Sequence, residues 1–271
     1  AKRKSTVLAF QPSKPGAGAT TVALHVASAA AVLHGKKSLL IEADLRSGSI
    51  ACQLGLQTAN PSLEAMENHW LTDERWSRYV DGKHGFDILP AWGGTHSAHG
   101  SRWDFYKLLR FARDRYDVIV VDLPEAIDEV AESTLAEADA FVMVAAPEIA
   151  SLRMVRRRVL EMEGLGVPHA HMQLAVNRYV AGDGEPQELE ELAKRAVSVV
   201  LPDDLQAIKS ANRRRGMAPS NSSFWHGVAT YTGKLVGDGK AEGPSVPFRM
   251  LKKTIGNLFG ASARDAAQIP A

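Results

Sequence analysis

The chain has 271 residues, a formal net charge of +1 and a single cysteine, Cys52. This length is enough for one domain of about 200–250 residues with its own buried core. No apolar run approaches the ~20 residues that a membrane-spanning helix needs. One cysteine excludes an internal disulfide and favours a reducing compartment, and we interpret Cys52 as a small buried apolar residue.

Charge is distributed unevenly along the chain. Residues 205–271 hold ten Lys/Arg and three Asp/Glu, whereas residues 1–204 hold 22 basic and 28 acidic residues. An acidic body with a basic end predicts an acidic partner for that end, which would be membrane lipid, nucleic acid or an acidic protein.

Short apolar runs alternate with helical patterns over residues 1–236. The predicted strands are 7–10, 38–41, 86–90, 118–121, 140–145, 173–176 and 197–201. The predicted helices are 22–34, 63–68, 73–79, 102–115, a stretch ending near 137, 150–163, 186–196 and 222–236. This alternation predicts an α/β domain with a mostly parallel, twisted sheet covered by helices on both faces.

The end of the chain has a different composition. Residues 237–247 are rich in Gly, Pro and Ser, which predicts a flexible linker, and 261–271 are predicted to be disordered. Between them, the apolar residues of 248–259 other than Met250 fall within about a 100° arc of a helical wheel, with Lys252 beside it. This pattern predicts an amphipathic helix over 248–260 that suits an anionic membrane surface. The alternatives are a helix docked on its own domain and a disordered end.

The first predicted helix is preceded by a glycine-rich stretch, Lys14-Pro-Gly-Ala-Gly-Ala-Thr-Thr21. A strand, a glycine turn and a helix in this order are typical of a phosphate-binding loop. Gly16 and Gly18 allow backbone N–H groups to curl around phosphate oxygens, and the helix adds its positive N-terminal end. The usual loop has a lysine just before its Ser/Thr, where this chain has Ala19. The predicted phosphate-binding residues are Lys14, Pro15, Gly16, Ala17, Gly18, Ala19, Thr20 and Thr21.

Polar residues also follow three other predicted strands: Asp44, Asp122 and Asn177. Ligands of open parallel sheets bind outside the carboxyl ends of the strands, so we expect these residues to line the same site as the loop. An apolar strand that ends in a carboxylate, here Asp122, is typical of a second nucleotide signature. Asp122 is predicted to hold Mg²⁺, usually through water, while Thr20 ligates the metal directly.

Taken together, these motifs resemble those of the MinD/ParA ATPases. Lys14-x-Gly-x-Gly-x-Thr-Thr21 resembles their deviant P-loop, in which the first lysine is the signature of the family. Glu42-Ala-Asp44 is similar to their first switch, which is normally Asp-x-Asp, and Asp122-Leu-Pro124 is similar to their second switch. Order and spacing agree over residues 5 to about 220. The resemblance implies ATP and Mg²⁺ as cofactors.

The resemblance also implies roles for residues on the base side of the nucleotide. Val176-Asn177-Arg178 is similar to the strand end whose Asn recognises adenine, and Leu201-Pro-Asp-Asp204 is similar to the segment that packs beside the base. The implied base-side residues are Asn177, Arg178, Pro202 and Asp204. In this family two subunits sandwich two nucleotides. The implied catalytic residues are Lys14, which would reach the partner's phosphates, and Asp44, which would orient the attacking water.

Within the superfamily, Gly-Ala-Thr in place of Gly-Lys-Thr resembles the CpaE/TadZ branch, which helps to position and assemble tight-adherence (Flp) type IV pili. Because Ala19 removes a fixed positive charge from the phosphates, we expect ATP binding with weak or no hydrolysis. The resemblance implies a cytoplasmic protein, placed at the inner face of the cytoplasmic membrane or at a cell pole. Its implied partners are a second copy of the chain and pilus or secretion proteins.

Two other functions stay open. One is a ParA-type partition ATPase that binds DNA through Arg213–Arg215, and the other is a cellulose-synthesis accessory ATPase of the same superfamily. Nucleic acid is the less favoured partner, because basic runs such as 156–158 and 213–215 are usually solvated helix faces. No recognised nucleic-acid-binding module accompanies them.

Overall fold

The computed structural model describes residues 5–56, 71–91 and 102–237. Its strands are β1 (Thr6–Pro12), β2 (Ser38–Glu42), β3 (Asp87–Leu89), β4 (Val118–Asp122), β5 (Ala140–Ala145), β6 (Met172–Tyr179) and β7 (Val199–Pro202). Its helices are α1 (Ala19–Val32), α2 (Ile50–Leu54), α3 (Asp73–Tyr79), α4 (Arg102–Arg113), α5 (Glu129–Glu137), α6 (Ile149–Gly164), α7 (Pro186–Ala193), α8 (Leu205–Arg213) and α9 (Ser223–Val236). A short 3₁₀ helix covers His169–His171.

The seven strands form one parallel sheet in the order β3-β2-β4-β1-β5-β6-β7. Every residue of β2 and β4 is buried, which requires cover on both faces of the sheet. The predicted α/β fold is therefore confirmed. Strand β1 is central in the sheet, and the later strands lie on either side of it. The carboxyl ends around β1 are where such a sheet binds ligands.

One large core cluster lies between the sheet and the pair of helices α1 and α9. Alternate residues of β1 and β4 enter this cluster, because successive side chains of a strand point to opposite faces. Small residues of α1 and large residues of α9, including Phe224 and Tyr231, fill it. Helix α1, which begins at Ala19, is therefore held against the sheet along its length.

Some boundaries differ from the prediction. The predicted helix 186–196 ends at Ala193, because Lys194 adopts a left-handed conformation with φ 51°. Helices α2 and α8 were not predicted, since both are short and bury few large apolar side chains. The interpretation of Cys52 was wrong. It is exposed, because α2 buries Ile50, Ala51 and Leu54 instead.

Several predictions fall on other parts of the chain. The predicted helix 63–68, the linker beyond Gly237, the amphipathic helix 248–260 and the end 261–271 lie outside the described residues. Among the helices that are described, none is both long and apolar enough to cross a membrane.

Candidate nucleotide-binding site

The glycine-rich loop joins β1 to α1 in the conformation that the sequence predicts. Gly16 and Gly18 have positive φ angles of 83° and 92°, and Gly18 is the N-cap of α1. A Cβ atom on Gly18 would lie 2.4 Å from the side-chain nitrogen of Asn177. No side chain of the described residues caps the helix, so its first N–H groups face the loop. Such a helix end suits an anion.

The two unusual positions of the loop lie in different surroundings. Ala19 is the first residue of α1 and only 3% exposed, and it packs into the core cluster. Lys14 lies at the surface, where its Nζ is 2.5 Å from Oε2 of Glu148 at the start of α6. The chain therefore has an apolar contact where the usual loop has a lysine, and an accessible lysine at the opening of the loop.

Two buried polar residues of β1 and the loop hold the site together. The Gln11 side-chain nitrogen donates to the carbonyl oxygens of Pro124 and Glu125, at 3.1 Å each. The Ser13 hydroxyl lies 2.8 Å from the hydroxyl of Ser151 on α6. Sequence reasoning missed both contacts, because their partners are more than 100 residues away along the chain. They connect the loop to the segment after β4 and to α6.

Asp122, at the end of β4, has the surroundings of a cation ligand. It is 2% exposed, and its Oδ1 has no hydrogen-bond partner among the described residues. Burial raises the pKa of this carboxyl well above its usual value, a hydrogen bond from Thr20 opposes the shift, and the charges of Glu42 and Asp44 add to it. A buried carboxylate with an open oxygen beside a hydroxyl fits Mg²⁺, whose charge would offset the burial.

Glu42 and Asp44 shape the loop that follows β2. Asp44 is half-buried, and its Oδ1 accepts hydrogen bonds from the backbone N–H groups of residues 46 and 47, at 3.2 and 2.8 Å. Glu42 is buried and accepts from the N–H groups of Ser49, Ile50 and Ala91. Burial raises the pKa of Glu42, and these N–H groups oppose that shift. In place of the usual Asp, Glu42 thus anchors the loop at its far end, a role that sequence reasoning missed.

The base-side residues are engaged with the protein itself. The Asn177 side chain is buried in β6 and donates to the carbonyl oxygen of Ala17 at 3.0 Å. Asp204 is the N-cap of α8: its Oδ1 accepts from the N–H of Ala207 at 3.1 Å, and its Oδ2 accepts from the N–H of Ser223 at 3.2 Å. Arg178 has a φ of 61° and Pro202 ends β7. The structure therefore brings Asn177 to the loop and uses Asp204 to join α8 to α9.

His25 is a further residue that sequence reasoning missed. It is buried on α1, where its Nδ1–H donates to the carbonyl oxygen of Thr21 at 2.7 Å and its Nε2 accepts from the N–H of Ala218 at 2.9 Å. The ring also lies edge-on to Phe224, with centroids 5.1 Å apart. Burial lowers the pKa of His25 to about 4, against the opposing bond to Thr21. A neutral imidazole thus links the loop's helix to α9.

Comparison with known proteins agrees with this geometry, although no family model matches the chain. An uncharacterized ATP-binding protein of Methanocaldococcus jannaschii is 28% identical over 210 residues, which cover 76% of this chain and 77% of that protein. A ParA family ATPase from Chlorobium tepidum has a crystal structure that matches with a TM-score of 0.79 at 19% identity, over 85% of this chain and 98% of that one. The fold is that of the MinD and ParA ATPases.

A second structure extends this result to MinD. The MinD protein of Pyrococcus horikoshii, solved in complex with Mg-ADP, matches with a TM-score of 0.71 at 18% identity, over 86% of this chain and 96% of that chain. Other relatives in sequence are described as MinD and as a ParA family protein. The chain is thus similar in sequence to an ATP-binding protein, to MinD proteins and to a ParA family protein, and it shares its fold with MinD and ParA structures.

Proposed function

We propose that this MinD/ParA-like chain is an ATP-binding dimer switch of the CpaE/TadZ type, with weak or no ATP hydrolysis. The observation that carries the proposal is the structure of the loop at Ala19. The glycine turn and the helix N-terminus are intact, but the position that normally supplies the catalytic lysine holds a buried methyl group. The loop therefore keeps the parts that bind phosphate and lacks the part that stabilises charge during hydrolysis.

Binding does not need the missing lysine. The N-terminus of α1 supplies N–H groups to the phosphates, while Thr20 and Asp122 supply oxygen atoms for Mg²⁺. Bound Mg²⁺ would neutralise phosphate charge beside the buried carboxylate. Asp44 would lie at the mouth of the same site and orient water.

Lys14 supports the dimer part of the proposal. Its pairing with Glu148 is at the surface, and surface ion pairs contribute roughly 0–1 kcal/mol, so a phosphate can replace the carboxylate. A partner subunit that brings its nucleotide to this face would gain a charge-assisted contact from Lys14. ATP, with one more phosphate group than ADP, would then favour the dimer.

The proposed cellular role rests on the sequence resemblance to the CpaE/TadZ branch. We propose that the switch acts in the assembly of a tight-adherence pilus, from the cytoplasmic side of the membrane or a cell pole. The basic pattern of residues 248–259 would supply an anionic-membrane contact that two tails of one dimer strengthen by avidity. Replacing Leu251 and Ile255 by Glu should abolish flotation of the protein with anionic liposomes. Unchanged flotation would contradict membrane binding by residues 248–259.

A direct test uses the purified chain in Mg²⁺ with ATP, with ADP and without nucleotide. We expect bound nucleotide on analysis, a dimer by size in ATP and a monomer in ADP. Lys14→Ala should bind ATP and stay monomeric. A wild-type protein that stays monomeric and binds no nucleotide would contradict the proposal.

DNA partition is the second candidate, because Arg213 and Arg214 are exposed at the end of α8. Its signature would be a DNA complex that forms only with ATP and weakens steeply with salt. Such a complex, lost on replacing both arginines by Gln, would favour partition over pilus assembly.

A further inference from the structure

Helix α6 carries an arginine on its buried face. Ser151, Val155, Arg158 and Met162 follow one another at spacings of four, three and four residues, which places them on one side of the helix. The other three are buried in the core, and the Arg158 side chain is only 12% exposed. Its neighbour Arg157 is 71% exposed. The sequence predicted that the basic run 156–158 is a solvated helix face. This prediction is confirmed for Arg157 and wrong for Arg158.

Arg158 uses its two terminal nitrogens on two different segments. One donates to Oε1 of Glu125 at 2.7 Å, and the other donates to Oε2 of Glu161 at 2.8 Å. Its Nε is buried without a partner in the part of the chain that the structure describes. Arg157 also bonds to Glu161, at 3.2 Å, but its pairing stays within α6. Arg158 alone of these two neighbours leaves the helix to reach Glu125.

Glu125 belongs to the loop that follows Asp122. The backbone of this loop is held by Gln11, which donates to the carbonyl oxygens of residues 124 and 125. Arg158 holds the same loop from α6, through the Glu125 side chain. The planar fork of arginine can bond to two carboxylates at once, which a lysine ammonium does with less directional constraint. The position of the loop therefore depends on the position of α6.

The opposite end of α6 contacts the phosphate loop. Glu148 pairs with Lys14, and the Ser151 hydroxyl meets that of Ser13. Arg158 lies ten residues beyond Glu148, which is about 15 Å along a helix. One rigid helix thus contacts both the dimer-facing lysine and the loop after the metal-binding carboxylate.

We propose that Arg158 is a positioning residue that couples the loop after Asp122 to helix α6, and so to the pairing state of Lys14. The coupling rests on the proposed nucleotide switch. When a partner's phosphate draws Lys14 away from Glu148, α6 loses one of its two described contacts with the phosphate loop, and Arg158 carries the change to Glu125. Conversely, a nucleotide that moves the loop at Asp122 acts on α6 through the same contact.

The test compares Arg158→Met with its neighbour variant Arg157→Met. Each loses one arginine contact to Glu161, but only Arg158→Met releases Glu125. ATP and ADP affinities of the full chain are measured with Mg²⁺ by calorimetry, and backbone hydrogen exchange is followed over residues 123–128. For Arg158→Met we expect the preference for ATP over ADP to fall by about five-fold or more, with faster exchange of the loop. Arg157→Met should change the preference by less than two-fold.

Two further variants keep the test decisive if Arg158→Met fails to fold. Glu125→Gln, on a half-exposed loop residue, should reproduce its lost preference. Arg158→Lys, which keeps a positive charge between Glu125 and Glu161, should retain at least part of the preference that Arg158→Met loses. Equal behaviour of the Arg157 and Arg158 variants, or an unchanged Glu125→Gln protein, would overturn the coupling.

A wild-type chain that binds neither nucleotide would refute the proposed switch instead. In that case, the exchange rates of residues 123–128 without nucleotide decide whether Arg158 holds the loop. Equal rates in the Arg157 and Arg158 variants would then overturn this role as well.

Discussion

The phosphate side and the base side of the site differ in how far their polar groups are already used. On the phosphate side, no described side chain caps the start of α1, and Asp122 keeps a buried oxygen without a partner. On the base side, Asn177 bonds to the loop backbone and Asp204 caps a helix. Unsatisfied groups are ready for a ligand, whereas satisfied groups must first give up their bonds. For the proposed ATP switch, we infer that the phosphates and Mg²⁺ would supply most of the free energy of nucleotide binding.

Of the variants considered, Gly18→Ala should reduce ATP affinity most, because Gly18 lies where the phosphate side meets the base side. The added Cβ would meet the Asn177 nitrogen at 2.4 Å and would impose a left-handed conformation on alanine. We expect ATP affinity to fall at least about 100-fold, which is roughly 3 kcal/mol. Gly16→Ala is the matched control, since its φ is also positive but no described atom lies within 4 Å of the added Cβ. Equal losses in the two variants would show that backbone strain alone is responsible.

Asp122→Asn tests the unsatisfied carboxylate directly. Removing its charge should weaken Mg²⁺-dependent ATP binding by about ten-fold or more, or roughly 1.4 kcal/mol. The same change should leave the unliganded protein at least as stable, because burial disfavours the charged carboxylate. Calorimetric titration and thermal unfolding, each with and without Mg²⁺, measure the two effects. A loss of stability without a loss of Mg²⁺ dependence would assign Asp122 a structural role.

His25 lies behind the phosphate side and makes the stability of the domain sensitive to pH. Its pKa is about 4 in the folded chain and 6.5 when unperturbed, so the unfolded state binds more protons between these values. Stability should therefore fall as pH is lowered from 6.5 to 4, by at most about 1.4 kcal/mol per pH unit. Denaturant unfolding across this range measures the slope. The slope of the free energy of unfolding against pH should be smaller for His25→Gln than for His226→Gln, whose histidine is exposed. Equal slopes in the two variants would rule out His25 as the cause of the pH dependence.

The smallest effect is expected on the base side. Asp204→Ala should lower the free energy of unfolding by about 1 kcal/mol, the usual contribution of a helix N-cap. ATP affinity should change by less than about two-fold, because both carboxylate oxygens are occupied by the protein. A large loss of affinity at unchanged stability would instead support the role beside the base that the resemblance implies.

The sequence was informative where a feature is local and less so where it joins distant segments. The loop at Gly16 and Gly18 and the carboxylate of Asp122 follow from neighbouring residues, because a strand end and a glycine turn are both local patterns. The roles of Gln11 and His25 depend on partners 113 and 193 residues away. Periodicity cannot identify such partners, since it assigns a residue to a face of an element without showing what lies against that face.

Substitutions at Ala19 test most directly whether the missing lysine limits ATP hydrolysis. The measurement is the steady-state ATP hydrolysis rate of the wild type, Ala19→Lys and Ala19→Met, with Mg²⁺ and at concentrations that saturate binding. Lysine and methionine both add a long side chain at this buried position, and only lysine adds charge. We predict a wild-type rate below about one per minute, little change with methionine and a rise of about ten-fold or more with lysine. Fast hydrolysis by the wild type, or equal rates for the Ala19→Lys and Ala19→Met variants, would contradict the claim that the missing lysine limits hydrolysis.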